Sequence, residues 1–187
     1  MIPVEYLWLT LIFYFGIFGM VRGIWRELGV TTIVLLSLFG LNFGWQLIGG
    51  TFSGMLPGGL TTAEVQAIYY SVTVLFVAFI AYEGFSLRFP IPEMKGIAKA
   101  IVGFPGGLVN GYLIMGTVWD VINQADYFQV TVPLGTSGSS VSIASTTTEL
   151  HATLTSYLPV TLMNSSPLIQ YAVLVAGLLL LLAIILK

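Results

Sequence analysis

Arg22-Gly23-Ile24-Trp25-Arg26-Glu27 places three charges within six residues. On both sides the chain is apolar for a long distance: Tyr6 to Val21 before it, Leu28 to about Ile48 after it. A membrane-spanning helix needs roughly 20 apolar residues, because each residue rises about 1.5 Å across about 30 Å of hydrocarbon. The charged stretch therefore reads as a tight connection between two spans, with Gly23 and Gly29 available for the reversal. Arg22 and Arg26 suit the end of the first helix and Glu27 the start of the second, since cations favour helix C-termini and anions N-termini.

Three more apolar runs follow the same pattern. Val65 to Tyr82 lies between Glu64 and Glu83, Ala100 to Trp119 between Lys99 and Asp120, and Leu168 to Leu186 ends at Lys187. The composition agrees. Of 187 residues, 57% are hydrophobic and 7% charged, against about 25% charged in a soluble globular domain. Mean hydropathy is +0.96. The expected fold is an all-α membrane bundle of about five transmembrane helices, with a small polar exterior segment between spans four and five. It divides into a four-span unit 1–122, a Ser/Thr-rich segment 123–166 and a fifth span 167–187.

The basic residues set an orientation. Arg22 and Arg26 fall between spans one and two, Arg88, Lys95 and Lys99 between three and four, and Lys187 at the end. With five spans all six lie on one side. The positive-inside rule makes that side the cytoplasm, with the N-terminus outside and the C-terminus inside.

Several chemistries are excluded or disfavoured. The chain has no cysteine, so thiolate metal sites and thiol catalysis are ruled out. A net charge of -2 is too small to imply a nucleic-acid or other charged partner, and no nucleic acid is expected. The glycine-rich loop 50–62 lacks the Lys-Ser/Thr of a P-loop. No span carries an ionisable residue at mid-depth, where ion and proton pathways place them; Glu5, Glu64, Glu83 and Asp120 all read as span ends. His151 stands alone, and a Ser156, His151, Asp126 set is no more than any serine-rich chain permits. The Asn164-Ser165-Ser166 sequon reads as an accident. No catalytic residue, metal or cofactor site is expected.

The packing signals are glycines. Gly103, Gly107 and Gly111 repeat every four residues on span four, which lets another backbone approach closely. Gly19/Gly23 and Gly40/Gly44 repeat the spacing more weakly. Asn110 is the strongly polar residue inside span four and is expected to bond across helices, worth about 1 kcal/mol. Pro105 removes a helix hydrogen bond at Ile101. Thr61-x-x-Glu64 has capping-box spacing for the third helix. In the exterior segment, Phe128 to Val132 and Val141 to Ile143 alternate as a hairpin would, and a mobile loop over 135–147 is the competing reading. Thr146-x-x-Glu149 opens a short helix expected to carry Leu150, Leu154 and Leu158 on one face. Of the basic turn, the expectation is that Arg22 or Arg26 contacts Glu27, Glu83 or a lipid phosphate, Glu83 being the best candidate by depth and Arg26 the more sensitive position.

Val4-Glu5-Tyr6, the aromatic-aliphatic first span and Val21-Arg22-Gly23-Ile24-Trp25-Arg26-Glu27-Leu28 together resemble the opening of the colicin V production protein (CvpA) family. Lys99 with Gly103, Gly107 and Gly111 is similar to that family's fourth span. The resemblance covers roughly residues 1–122. It implies a bacterial inner-membrane protein, without enzymatic activity, needed in some bacteria for colicin V production. The chain departs from the family in its exterior segment, its fifth span, and Glu5 where aspartate is usual. The expected role is therefore export or envelope upkeep through membrane lipids and other membrane chains. The alternative is an accessory subunit of a large electron-transfer or light-harvesting assembly.

Overall fold

The structure, a computed structural model, describes residues 4–55, 60–83, 89, 94–126 and 149–186. Its elements are α1 (Val4–Arg22), α2 (Ile24–Met55), α3 (Thr62–Glu83), α4 (Gly96–Gln124), α5 (Glu149–Ser156), α6 (Pro159–Ser165) and α7 (Pro167–Ile185). Five of them, α1 to α4 and α7, are long and apolar enough to cross a membrane. Among the described residues there is no strand, and the chain is a multi-pass, all-α membrane bundle. The expected hairpin over 128–143 and most of the loop 84–99 lie outside the described residues.

The bundle is built on α4, which packs against α1, α2, α3 and α6. Hydrophobicity does not select its buried faces, because lipid is as apolar as leucine and small or polar residues mark helix contacts instead. Thus Val72 and Phe79 on α3 are more than 60% exposed, while Ala67, Ala81, Asn110 and Thr117 are fully enclosed. Val30, Val34, Leu38 and Leu41 of α2 meet Tyr70, Val74 and Ala78 of α3 and Ile114 of α4 at three- and four-residue spacing.

Antiparallel α1 and α4 are held by the glycine stripe. A methyl group on Gly103 would overlap the carbonyl oxygen of Gly19, and one on Gly107 the carbonyl oxygen of Phe15. At Gly111 it would lie 2.9 Å from the Ile12 carbonyl oxygen. The expected close approach of span four is therefore present, and its partner is span one. Gly40 differs: nothing lies within 4 Å of the equivalent point.

Helix boundaries correct the sequence reading at the charged turn. The reversal uses Gly23 alone, at φ +87°, a left-handed value that glycine reaches without steric cost. Gly29 is buried within α2. Because α2 starts at Ile24, Glu27 lies inside that helix and is fully buried. It belongs to the first turn of α2, as its position before span two implied, but its side chain is turned into the bundle and not towards solvent. Asp120 is likewise inside α4, which runs on to Gln124, and is 1% exposed. Both acids lie near helix ends, and both are buried.

At the start of α3 the capping box forms: Glu64 Oε2 accepts from the Thr61 amide at 2.6 Å and the Thr61 hydroxyl at 2.8 Å. The described part of the segment after α4, residues 149–166, packs on the bundle. α5 stops at Ser156, so Leu158 does not share its face but precedes α6, whose first residue is Pro159. Proline suits that position because its missing N–H would have no helical partner. Pro159 packs on Gly116, and Val160 and Met163 enter the core. Ser166 then caps α7 by accepting from the Leu168 amide at 3.2 Å. α7 lies on α2, with Gly177 against Leu35 and Leu36, and its remaining surface is largely exposed.

Candidate functional site

Two polar clusters occupy opposite ends of the bundle. The first forms where α2, α3 and α4 converge behind the Gly23 turn. Glu27 is about 6 Å along the helix from Gly23 at 1.5 Å per residue. Its Oε2 accepts from Tyr82 Oη at 2.9 Å and from Asn110 Nδ2 at 2.8 Å. Asn110 Nδ2 also donates to the Glu27 backbone carbonyl at 3.0 Å. Thr31 Oγ1 lies 2.7 Å from Asn110 Oδ1 and 2.9 Å from that same carbonyl. Arg22 supplies the countercharge, its Nε 3.4 Å from Glu27 Oε1. The guanidinium stacks 4.4 Å over the Tyr82 ring and donates from Nη1 to the Tyr82 carbonyl at 3.3 Å.

This arrangement settles several expectations. Asn110 does bond across helices, to Glu27 and Thr31 of α2. One arginine does contact a carboxylate, but the pair is Arg22 with Glu27; Glu83 is exposed at the edge of the same region. Arg22 is the arginine folded over the buried anion. The roles of Tyr82 and Thr31 were not anticipated. Their signal was indirect: a buried asparagine must find partners, and Tyr82 is the last polar ring before the end of span three.

In front of this cluster α1 and α3 stand on α4 but scarcely touch each other. The space between them is a lateral cleft of about 720 Å³. Tyr14 and Phe18 line it from α1, Leu75 and Phe79 from α3, and Ile114 from α4. Arg22, Arg26 and Glu83 gather at one end. Arg26 and Arg22 also border a smaller crevice with Lys99, so three of the basic residues meet at this end.

The second cluster closes the opposite end. His151 of α5 faces Glu5 Oε1 with Nδ1 at 2.8 Å and Asn123 Oδ1 with Nε2 at 3.2 Å. Its ring lies edge-on to Trp119, which stacks with Trp8 at 6.2 Å and 9°. Asp120 Oδ2 accepts from the Thr161 amide at 2.7 Å and Oδ1 from the Thr161 hydroxyl at 2.8 Å. Gln124 donates to Asp120 at 2.7 Å, and the Tyr112 hydroxyl donates to the Tyr157 carbonyl. Ser156 donates to the Thr153 carbonyl of its own helix. The imidazole is thus committed to fastening α5 onto α1 and α4. Nothing in the sequence links Glu5 to a histidine 146 residues later.

Among the described residues no three His, Cys, Asp or Glu side chains converge as a metal site. Compared with known families, characterised proteins and solved structures, the chain has no match.

Proposed function

We propose that this chain is a non-enzymatic, multi-pass protein of the bacterial cytoplasmic membrane that acts through other membrane chains in export or envelope upkeep. This is the role implied by its CvpA-like opening. The N-terminus faces outward and the C-terminus the cytoplasm. The observation that supports the reading best is the use made of the buried charges. Glu27, Asp120 and Glu5 are each tied to side chains of other helices. Ion and proton pathways need ionisable groups that exchange partners, whereas these groups hold elements together. An alternative is an accessory subunit of a large membrane assembly, and α7 favours it: the helix is almost wholly aliphatic and leaves most of its surface uncovered.

Photo-crosslinking from Leu179, which is 60% exposed on α7, in native membranes tests the proposal. The expected result is one reproducible crosslinked membrane protein that also co-purifies. A very large native assembly would favour the accessory-subunit alternative. A chain that purifies alone and carries solute flux in liposomes would sink both.

A further inference from the structure

We propose that the cleft between α1 and α3 is a binding site for one phospholipid with a zwitterionic, phosphoethanolamine-type headgroup. The lipid would come from the leaflet at the Arg22 end. The site is independent of any protein partner. Three observations converge on it.

The first is shape. The cleft has about 720 Å³, within the roughly 300–1,000 Å³ of ordinary ligand sites. It opens sideways, since the residues that line it, including Phe18 and Phe79, are substantially exposed. It runs from Tyr14 to Arg22 on α1 and from Leu75 to Glu83 on α3. Eight helical steps on each helix make about 12 Å at 1.5 Å per residue. An occupant reaches it from within the membrane plane.

The second is polarity. The charged groups lie at one end of the cleft, and the rest of its wall is aromatic and aliphatic. The occupant therefore has a charged head and an apolar tail lying along the helices.

The third is charge. Arg22 is balanced by the buried Glu27 behind it. Arg26 and Glu83 then add one charge of each sign to the lining of the cleft, Lys99 bordering the adjoining crevice and not the cleft itself. An anionic head would suit the guanidinium groups but meet Glu83. A cationic head would meet two arginines. A neutral head with both a phosphate and an ammonium matches both: phosphate oxygens accept from guanidinium N–H groups, and the ammonium donates to the Glu83 carboxylate. Arg22 has donors to offer, because Nη1 spends one hydrogen bond on Tyr82 and a guanidinium carries five N–H groups.

The test is native mass spectrometry of the full chain, purified after exchange into micelles with equimolar phosphatidylethanolamine and phosphatidylglycerol. Wild-type protein should retain one phosphatidylethanolamine in preference by about threefold to fivefold, the scale of a single partly exposed ion pair. Glu83→Gln should reverse the preference towards phosphatidylglycerol. Arg26→Gln should lower retention of both lipids, and Leu75→Trp, which fills the cleft, should abolish it. Glu83 and Leu75 are exposed, so unchanged melting of these variants would show that the fold is intact. No retained lipid in wild type, equal retention of both lipids, or a preference that Glu83→Gln leaves unmoved would overturn the proposal.

Discussion

Glu27 carries a charge into a place closed to solvent, and three side chains make that tolerable. Tyr82 and Asn110 give hydrogen bonds, and Arg22 gives the countercharge. Breaking a buried pair from one side leaves an uncompensated ion, which costs about 3–5 kcal/mol, whereas replacing both partners by apolar groups is often neutral. Arg22→Leu should therefore destabilise the bundle strongly in detergent melting, and Arg22→Leu with Glu27→Leu should recover most of the loss. A double variant no more stable than the single one would show that the pair is not coupled. Asn110→Leu should cost less, about 1–2 kcal/mol, because Tyr82 and Arg22 remain on the carboxylate. At this scale the sequence was half legible. Asn110 announced a cross-helix bond because a lone amide in an apolar span has no other use. Glu27 was placed at the start of α2 and named as a partner for the arginines, but its complete burial was not legible, because that depends on α3 and α4 packing over the first turn of α2.

The same glycine spacing led to different outcomes on different helices. Gly103, Gly107 and Gly111 admit the backbone of α1, while Gly40 meets nothing. Spacing alone cannot separate these cases, since what counts is whether a second helix crosses there. Gly107→Leu should push a side chain into the Phe15 carbonyl and cost about 1–3 kcal/mol or more by overpacking. Gly40→Leu should be neutral or mildly stabilising, because leucine exceeds glycine in helix propensity by up to about 1 kcal/mol. Equal melting of the two variants would remove the α1–α4 contact from the account. The short helices were harder to read. Leu150, Leu154 and Leu158 had helical spacing, but Pro159 starts a new helix and leaves Leu158 at the junction. That α6 enters the core, covering Gly116 and bonding Asp120 through Thr161, follows from long-range packing that local periodicity does not carry.

For the whole molecule, span number and class were legible because bilayer thickness constrains helix length directly. The arrangement was not, because helices that are apolar all round give no inward stripe. What orders them is a few small and polar residues: the glycine stripe of α4, the Glu27 cluster at one end and the Glu5–His151 and Asp120–Thr161 bonds at the other. The ends differ in charge. Arg22, Arg26 and Lys99 meet at the first, and His151 of α5 fastens the second. The proposed orientation in the membrane rests on that asymmetry, and it would set which leaflet the cleft samples and which side α5 and α6 cap. Single cysteines, introduced into a chain that has none, measure it directly: one at Ala152 on α5, one at Ser86 between α3 and α4. In intact cells a membrane-impermeant maleimide should label position 152 and reach position 86 only after the membrane is opened. Labelling of 86 but not 152 in intact cells would contradict the account.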